Sequence, residues 1–369
     1  MATAYKAYKY RIYPTDEQAV IFQKTFGCCR FIWNMMLSDK IDYYNKEKKM
    51  LKCTPAQYKK KYDFLREVDS LALTNVQLNL QSAFQKFFKE KKAGFPHFHS
   101  KKNTRKSYTT NKVGNNIDIN DRYIKLPKVG LIKIKRHREP YGVLKSVTVS
   151  QTPTGKYFVS VLFEYENQVQ EKNDTTKSVG LDFSMKELYV DSSGREPNYP
   201  HFYRKMERRL AREQRKLSKM YRKGQLQSNR YYRQKIKVNK LHEKIANQRK
   251  DFLHKLSRHL VDTYDFICIE DVDMKSMSQC LNFGKSVHDN GWGMFTSMLA
   301  YKCEEEGKHL QKIDKWYPSS QTCHVCGTVH DITKDLSVRE WTCPDCHTHH
   351  NRDVNAAINI LNAGMQMMA

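Results

Sequence analysis

Four cysteines near the end of the chain have the spacing of a metal site. Cys323 and Cys326 form one Cys-x2-Cys pair, Cys343 and Cys346 form a second, and sixteen residues separate the pairs. Each pair can direct two thiolates at one ion, and two such turns on a folded-back loop complete a tetrahedral set of sulfur ligands. Because protein would fill all four positions, we expect one structural Zn²⁺. The alternative of four unrelated cysteines is disfavoured by the specific spacing.

Several histidines lie close to these cysteines in the sequence, namely His324, His330, His347, His349 and His350. They could replace a ligand, but four cysteines already suffice for zinc, so we interpret the histidines as surface or nucleic-acid-facing residues. Gly327 suits the turn of the first pair. His347 stands in the equivalent place after the second pair, which is a weaker signal for such a turn.

Three carboxylates lie at positions where a carboxylate is unusual. Asp182 and Glu270 each end a predicted apolar strand, and Asp353 opens the last predicted helix. Burying an unpaired carboxylate is costly, and a hard divalent cation removes that cost because it prefers oxygen ligands. The three acids therefore indicate a site for Mg²⁺ or Mn²⁺, ions that can activate water and stabilise the leaving oxygen at a scissile phosphate. Each acid also has a plainer explanation, as a turn residue, a partner of a local arginine or a helix N-cap.

The composition of the chain points to a polyanionic partner. Its 369 residues include 65 Lys and Arg and 39 Asp and Glu, a net charge of +26. Nucleic acid is the default partner of such a surface, and an anionic membrane is the second candidate. We find no apolar run long enough to span a bilayer and no apolar leader, so we expect no membrane partner and a cytoplasmic location. The hydrophobic content of 39% excludes a disordered polycation, and the length suggests two or three domains.

Two segments concentrate the basic charge. Residues 201–260 contain 20 Lys and Arg but only four Asp and Glu. Exposed helices usually mix charges because like charges repel at i,i+4, so we favour a phosphate-facing surface over a solvated coiled-coil arm. Residues 86–110 interleave basic and aromatic residues, as single-stranded nucleic acid binding requires, although a solvated loop with anchoring aromatics explains the pattern equally well. The basic residues that we assign to nucleic acid are Lys86, Lys89, Lys101, Lys102, Arg105, Lys106, Arg208, Arg212, Arg215, Arg222, Arg233 and Lys237.

The first half of the chain is predicted to combine a sheet with helices. Residues 4–13 predict a strand, and Thr15 is a predicted N-cap of two short helices broken near Gly27. Residues 54–90 continue helical. The predicted inner face of this stretch comprises Leu73, Val76, Leu78, Leu80, Phe84 and Phe87. Residues 115–165 predict further strands with a hairpin about a Pro-Thr-Gly turn, and we expect the N-terminal strand to join their sheet.

A polar stretch at 166–177 predicts a domain boundary. Beyond it, VGLDF and LYVDSSG predict two antiparallel strands joined by a tight turn, and residues 201–260 predict long helices. The remaining predicted elements are a buried strand at 265–270, a helix at about 291–306, a strand at 309–316 and a short helix at 353–361.

An ordered series of motifs resembles one protein family. These motifs are YKYRIYPTDEQ and FGCCRFIWN within 8–34, HSKKNTRKSYTT (99–110), GLDFSMKELYVDSSG (180–194), CIEDV (268–272), YPSSQTCHVCG (317–327) and WTCPDCHTHHNRDVNAAINI (341–360). The chain resembles the TnpB-type or OrfB proteins of IS200/IS605 insertion sequences, which are RNA-guided DNA nucleases regarded as ancestors of the type V CRISPR effectors. It departs from them at HTHHNRD (347–353), where relatives often carry Gly-Thr-x-His-Asp-Arg-Asp.

The resemblance implies an α+β multidomain fold. The implied parts are a wedge β-barrel (1–14 and 110–170), a helical recognition lobe (15–109), a RuvC-like, RNase H-type nuclease domain (178–316 and 350–369) with a basic helical insertion (201–260), and a zinc ribbon that binds target nucleic acid (317–349). The metal-binding acids of the family map onto Asp182, Glu270 and Asp353, which we therefore expect to be the catalytic residues.

The same resemblance implies an RNA-guided, metal-dependent DNA endonuclease with a single nuclease site. The implied partners are a guide RNA and double-stranded target DNA beside a short flanking motif, with a monomeric protein near a prokaryotic nucleoid. Three alternatives stay open: a non-catalytic RNA-guided repressor, a transposase that joins DNA ends, and a zinc-ribbon nucleic-acid-binding factor. The presence of all three acids disfavours the repressor. Strand-transfer products from transposon ends alone would favour the transposase.

Overall fold

The structure is a computed structural model that describes residues 2–102, 106–170, 176–280, 289–335 and 337–368. The chain divides into two compact units, 1–168 and 169–369, and this division lies within the predicted polar boundary. Both units contain helices and strands, in agreement with the predicted α+β class. None of the helices in these ranges is long and apolar enough to cross a membrane.

The first unit is built on a seven-stranded antiparallel sheet. Its strands are β1 (Ala2–Tyr13), β2 (Lys106–Asn111), β3 (Asp118–Ile119), β4 (Tyr123–Leu126), β5 (Gly130–Lys135), β6 (Val143–Gln151) and β7 (Tyr157–Asn167), in the order β2-β6-β7-β1-β5-β4-β3. The predicted β6–β7 hairpin is confirmed, as is the entry of the N-terminal strand into this sheet. The edge strands β2 and β3 do not pair with each other among the described residues. Strand pairing therefore does not close this sheet into a barrel.

Three helices share the core of this sheet: α1 (Asp16–Glu47), α2 (Pro55–Lys61) and α3 (Ser70–Lys89). The predicted break near Gly27 is wrong, because α1 runs through it as one helix of 32 residues. Phe26 and Cys28 on either side are buried, and this burial outweighs the helix penalty of glycine, about 1 kcal/mol. Thr15 forms the predicted N-cap, in a capping box with Gln18.

The predicted helix at 54–90 is interrupted, because a 3₁₀ turn at Asp63–Arg66 separates α2 from α3. Asp69 caps α3 by accepting a hydrogen bond from the backbone of Leu71. Leu78 is wrongly assigned to the inner face, since 49% of it is exposed. It lies two residues from Val76 and from Leu80, which places it on the opposite side of the helix.

The second unit contains a four-stranded sheet of β8 (Ser178–Ser184), β9 (Leu188–Asp191), β10 (Phe266–Glu270) and β11 (His309–Ile313), in the order β11-β10-β8-β9. The antiparallel β8–β9 pair is confirmed, and β10 runs parallel to both β8 and β11. The last strand ends at Ile313, three residues before its predicted end, because Asp314 begins a turn by accepting a hydrogen bond from the backbone of Trp316.

Helices cover both faces of this sheet. The helices of this unit are α4 (Phe202–Met220), α5 (Asn229–Thr263), α6 (Met274–Cys280), α7 (Trp292–Glu306) and α8 (Arg352–Gln366), of which α5, α7 and α8 pack on the sheet. Ile267 and Ile269 of β10 pack in one core with α5 and α7, whereas Phe266 and Cys268 pack with Ile360 of α8. This alternation shows that successive side chains of the strand serve opposite faces.

Two predicted domain boundaries fall inside strands. Residues 106–109, predicted to be part of the helical lobe, lie in β2, because Tyr108 and Thr110 alternate into the core of the sheet. The predicted end of the zinc ribbon at 349 lies inside β13 (His349–Asn351), which pairs with β12 (Glu340–Thr342). Asn351 completes that pairing immediately before α8 begins.

Candidate active site, zinc ribbon and nucleic-acid surfaces

The register of the parallel strands brings Asp182 and Glu270 side by side. Leu181 of β8 pairs with Ile269 of β10, so each acid is the next residue on its own strand. Leu181 and Ile269 face the core that contains α5 and α7. Because side chains alternate along a strand, both acids lie on the opposite face, the one that α8 covers.

Asp353 reaches the same face from the first turn of α8. Asn351 caps this helix, and its side-chain oxygen accepts hydrogen bonds from the backbone nitrogens of Asp353 at 3.1 Å and Val354 at 3.2 Å. Asp353 is therefore not the N-cap, which removes the plainer explanation for this acid. Asn351 stands where relatives often carry Asp, and both side chains are effective caps.

Two glycines allow α8 to lie directly against the strands that carry the other acids. A Cβ added to Gly180 of β8 would lie within 3.0 Å of the backbone oxygen of Ala357 and 2.9 Å from the Cβ of Leu361. A Cβ at Gly364 would overlap the sulfur of Cys268 on β10. These close approaches place the first turn of α8 beside the ends of β8 and β10. These close approaches were not predicted, although a glycine inside an apolar strand is a signal of close backbone approach.

Asp353 and Glu270 lie near enough to Asp182 to act on its charge. Burial, and then the charges of Asp353 and Glu270, raise the pKa of Asp182 well above its ordinary value. Burial raises the pKa of Glu270 to about 7. The three acids are not all in direct contact: in the described part of the chain, at least one pair of them has its carboxylate oxygens more than 4.8 Å apart. The arrangement is a half-buried group of like charges that a bound cation would neutralise.

Two arginines that the sequence analysis did not assign to the site flank Asp353. Arg339 Nη1 lies 2.9 Å from one carboxylate oxygen, and Arg352 Nε lies 3.4 Å from the other. The Arg352 charge also lowers the pKa of Asp182, against the larger effects that raise it. Arg352 adjoins Asp353 in the sequence, but Arg339 lies fourteen residues away and gives no sequence signal.

The four predicted zinc cysteines converge. The Cys323 and Cys346 sulfurs lie 3.6 Å apart, the Cys326 and Cys343 sulfurs also lie 3.6 Å apart, and all four lie within 4.8 Å of one another. Zn–S bonds of about 2.3 Å place the sulfurs of a tetrahedral site about 3.8 Å apart. The donor set and its spacing therefore fit one tetrahedral zinc ion.

The two cysteine turns have the same backbone geometry. Gly327 donates its backbone N–H to the Cys323 oxygen at 2.8 Å, and His347 donates equivalently to the Cys343 oxygen at 2.9 Å. Their φ angles are +79° and +59°, both in the left-handed region. His347 adopts this conformation without being a glycine, because histidine is among the side chains that tolerate it better than most.

His350 is buried, which contradicts our expectation that the ribbon histidines face outward. Only 3% of it is exposed, and its Nε2 lies 3.1 Å from the Cys323 sulfur. His330 Nε2 lies 3.5 Å from the Cys343 sulfur and is half-buried. Buried thiolate ligands need hydrogen-bond donors around them, and an imidazole N–H supplies one. His347 and His349 are exposed, as expected.

Two buried asparagines on α8 attach the ribbon to the acidic site. The Asn355 side-chain oxygen accepts a hydrogen bond from the backbone nitrogen of His324 at 3.0 Å, and its amide donates to the Thr322 oxygen at 2.8 Å. Asn359 donates to the Thr322 oxygen at 2.6 Å and to the Ser319 oxygen at 2.9 Å. The first cysteine turn is thus fixed to the helix that carries Asp353. The sequence signal is the i,i+4 spacing of two asparagines on an otherwise apolar face.

The basic residues predicted in 201–260 are exposed on α4, on α5 and in the link between them. They are Arg208, Arg212, Arg215, Arg222, Arg233 and Lys237. The two helices pack through Leu210, Val238, Leu241 and Ile245, so their apolar side chains face inward. Two of the few acids in this segment form salt bridges: Lys216 Nζ lies 3.1 Å from a carboxylate oxygen of Glu213, and Lys255 Nζ lies 2.7 Å from one of Asp251. A large surplus of positive charge therefore stays on the outer surface.

In the first unit, Lys86, Lys89, Lys101 and Lys102 are exposed, Lys106 is half-buried and donates to Gln23 at 2.8 Å, and Arg105 lies outside the described residues. The ends of α1 and α3 line a cavity of about 240 Å³ whose aromatic walls are Tyr44, Phe84, Phe87, Phe88 and Phe95.

The following segment is anchored, since the Trp33 ring stacks on His99 at 4.4 Å and its indole N–H donates to the His97 oxygen at 2.9 Å. Phe88, in contrast, is 65% exposed. Both interpretations of residues 86–110 thus have support. The contacts of His99 favour a loop anchored by aromatic residues, and the exposed ring of Phe88 favours stacking on single-stranded nucleic acid.

Comparison with known proteins gives three family matches along the chain. A helix-turn-helix domain of OrfB_IS605 type matches residues 1–49, an OrfB_IS605 "Probable transposase" domain matches 160–281, and a Cas12f1-like TNB domain matches 292–360. In this structure the first match covers a strand and one unbroken helix.

Full-length relatives agree with these matches. A "Putative RNA-guided DNA endonuclease" of Streptomyces pristinaespiralis is 35% identical over 99% of this chain and 90% of its own length. The "Putative RNA-guided DNA endonuclease InsQ" of Escherichia coli K12 is 29% identical over 99% of this chain and 93% of its own. A cryo-EM structure of a Cas12f1–sgRNA–target DNA complex has a similar fold, with a TM-score of 0.61, 13% identity, and coverage of 98% of this chain and 99% of that one.

The fold is therefore that of a Cas12f1-like protein. The chain belongs to the TnpB-type family, the OrfB proteins of IS200/IS605 insertion sequences.

Proposed function

We propose that this protein is an RNA-guided, metal-dependent DNA endonuclease whose site is formed by Asp182, Glu270 and Asp353. The observation that carries the proposal is the meeting of these acids, drawn from two parallel strands and a helix, on one face of the sheet. Two relatives that align with nearly the whole chain have names that describe RNA-guided DNA endonucleases. Target-adjacent motif recognition and hydrolysis at a single RuvC-like site belong to the same proposal.

The three acids fit a divalent cation of the Mg²⁺ or Mn²⁺ type. Their oxygen atoms are the preferred ligands of such ions. Burial, and then the charges of the other two acids, raise the pKa of Asp182, and a bound cation would offset both effects. When bound, the metal supplies activation of water and neutralisation of charge at the scissile phosphate. The chain supplies the carboxylate ligands. It also supplies Arg339, which holds Asp353 in place from the ribbon side.

The remaining parts of the chain are assigned to nucleic acid. The first unit, with its sheet (1–14 and 110–170) and helices (15–109), would bind the guide RNA scaffold and the target-adjacent motif. The helices at 201–260 would hold phosphate backbones, and the ribbon at 317–349 would contact target nucleic acid. Base pairing between guide and target supplies the remaining specificity. One protein copy on its RNA is part of the same proposal.

Neutralising basic residues on α4 is expected to weaken RNA binding and reduce its salt dependence. Each lost phosphate contact lowers the slope of log K against log[salt] by about 0.7–0.9, so Arg208→Ala/Arg215→Ala should lower it by about 1.5. The measurement is RNA affinity at several salt concentrations. A matched control is Lys255→Ala/Lys334→Ala, in which both lysines already pair with Asp251 and Asp331. Equal losses of slope in the two double variants would contradict the assignment.

Mg²⁺ binding is expected to strengthen as pH rises through about 7, the raised pKa of Glu270. Because the usual value is 4.5, the metal-free fold keeps a proton that the unfolded chain releases, and its stability falls as pH rises from about 4.5 to 7. Above that range the carboxylate is free to bind metal. From pH 6 to 8 its ionised fraction rises about tenfold, so Mg²⁺ should raise the melting temperature more at pH 8.

Thermal unfolding with and without Mg²⁺ at both pH values checks this expectation. Glu270→Gln serves as the control, since its amide does not titrate and the Mg²⁺ effect should then lose the part of its pH dependence that Glu270 contributes, while Asp182, whose pKa is also raised, keeps its own. A pH-dependent increase of the same size in Glu270→Gln would assign the effect to another group.

The proposed function is tested by purifying the protein with its RNA and sequencing that RNA. A structured RNA with a variable 3′ end, together with Mg²⁺-dependent cleavage of a plasmid that matches the variable part, is the expected result. Target binding without cleavage would instead support a repressor. Strand-transfer products from transposon ends alone would support a transposase.

A further inference from the structure

Trp316 is a large apolar side chain left in solvent. It is 80% exposed, whereas Trp292 and Trp341 are 2% and 4% exposed, and Trp33 is half-buried. A buried tryptophan stabilises the fold by removing a large apolar surface from water, and Trp316 makes little contribution of this kind. The exposed indole is therefore available to a partner molecule.

The position of Trp316 relates it to the acidic site. Ile313, the last residue of β11, pairs with Glu270 of β10 in parallel register. Trp316 follows Ile313 by three residues, a distance that extended chain spans in about 10 Å. Because parallel strands end at the same edge of a sheet, Trp316 lies at the edge toward which β8 and β10 run, where Glu270 ends β10 and Asp182 lies two residues before the end of β8.

The backbone around Trp316 is fixed although its ring is exposed. The Asp314 side chain accepts a hydrogen bond from the Trp316 backbone nitrogen at 2.7 Å, and the Asp314 backbone oxygen accepts one from Tyr317 at 3.1 Å. Tyr317 packs against the core of Phe266 and Ile313. The ring is therefore presented by a rigid turn, and replacing it removes no core contact.

The surroundings of the ring favour a nucleobase as its partner. Lys315 Nζ lies 4.9 Å from the centre of the indole ring, where it adds a positive charge beside the aromatic surface. A second copy of this chain would bring another charge of +26 to the same place. A single-stranded nucleic acid instead offers a flat base for the ring and a phosphate for the lysine, a combination that tolerates any sequence.

We propose that Trp316 stacks on an unstacked base of the DNA strand and thereby positions that strand at the three carboxylates. Bases are available for stacking only where the duplex has been opened, so this contact favours single-stranded substrate at the cleavage site. The inference deepens the proposed function, on which it rests for the identity of the strand. Trp316 is in this account a positioning residue, and the carboxylates are the catalytic ones.

Intrinsic fluorescence tests the stacking directly. RNA-loaded protein is mixed with its single-stranded target in Ca²⁺, and the quenching of tryptophan emission is compared in wild type, Trp316→Ala and Trp316→Phe. We expect target strand to quench the wild type and Trp316→Ala to lose most of that quenching. At about 1–3 kcal/mol per stacked base, Trp316→Ala should bind the strand about 5–150-fold more weakly, with partial recovery in Trp316→Phe.

Strands with one abasic position at a time add a test that a merely structural role would not satisfy. At one position, removal of the base should weaken wild-type binding as much as Trp316→Ala does, and should not weaken Trp316→Ala further. Tyr301→Ala, which removes a 38% exposed aromatic residue on α7, should show neither effect.

Unchanged quenching and affinity in Trp316→Ala would overturn the proposal. So would a loss of self-association, or of binding to anionic phosphatidylserine vesicles, in place of a loss of strand binding. Failure of the wild type to cleave in Mg²⁺ would count against the proposed nuclease. A wild type that cleaves but shows no quenching by the target strand would contradict only the role proposed for Trp316.

Discussion

Gly180→Ala is expected to reduce DNA cleavage by about 100-fold or more while RNA binding is retained. The added Cβ would lie within 3.0 Å of the backbone oxygen of Ala357, which is part of a helix and cannot turn aside. The helix α8 must then move away from β8, and Asp353 moves with it relative to Asp182. A displacement of about 1 Å in a catalytic constellation costs about 100-fold in rate. Overpacking also costs about 1–3 kcal/mol of stability.

Single-turnover cleavage, thermal unfolding and RNA affinity measure these effects separately. The matched control is Gly293→Ala in α7, where an added Cβ meets nothing within 4 Å. Since alanine favours a helix over glycine by up to about 1 kcal/mol, this control should be as stable as wild type or more so, and fully active. Wild-type cleavage by Gly180→Ala would contradict the inferred dependence of the site on the seating of α8.

Removal of the zinc is expected to abolish cleavage through the loss of Asp353, although the ribbon contributes no carboxylate to the site. Asn355 and Asn359 bond the first cysteine turn to α8, and β13 leads directly into that helix. Structural zinc ions contribute about 10–16 kcal/mol to the folding of small zinc domains, so Cys343→Ser should unfold the ribbon and release the start of α8. Cleavage should fall by at least about 100-fold.

Zinc content, cleavage and the melting of the protein are compared in wild type, Cys343→Ser and Cys53→Ser. Cys53 is a buried cysteine of the first unit, far in sequence from the ribbon, and its replacement should leave one zinc per chain. Full cleavage by a zinc-free Cys343→Ser protein would show that Asp353 is positioned without the ribbon.

Much of the site could be predicted because its signals are local in the sequence. Cys-x2-Cys spacing is set by the geometry of a single turn, and the four sulfurs do converge. The strand end at Glu270 could be recognised, whereas Asp182, predicted to end its strand, lies two residues before the end of β8 because Phe183 and Ser184 still pair with β9. The alignment of the two acids follows from parallel pairing. The assignment of metal and catalysis to these acids stays a prediction.

The features that were missed depend on contacts distant in sequence. Arg339 contacts Asp353 although fourteen residues separate them. Gly180 is needed only because the helix α8 packs directly against it. The burial of His350 could not be predicted, because four cysteines already complete a zinc site and only the folded chain brings its Nε2 next to the Cys323 sulfur. At Gly27, tertiary burial along α1 overrides a local helix-breaking signal.

The most direct test of the account is cleavage by protein that carries a reprogrammed guide. The variable part of its RNA is changed to match a new sequence beside the same flanking motif, and plasmid cleavage is measured in Mg²⁺ for wild type and Asp182→Ala. The account predicts that wild type cuts only the new target and that Asp182→Ala binds RNA and target but does not cut. Cleavage that ignores the guide, or full cleavage by Asp182→Ala, would contradict it.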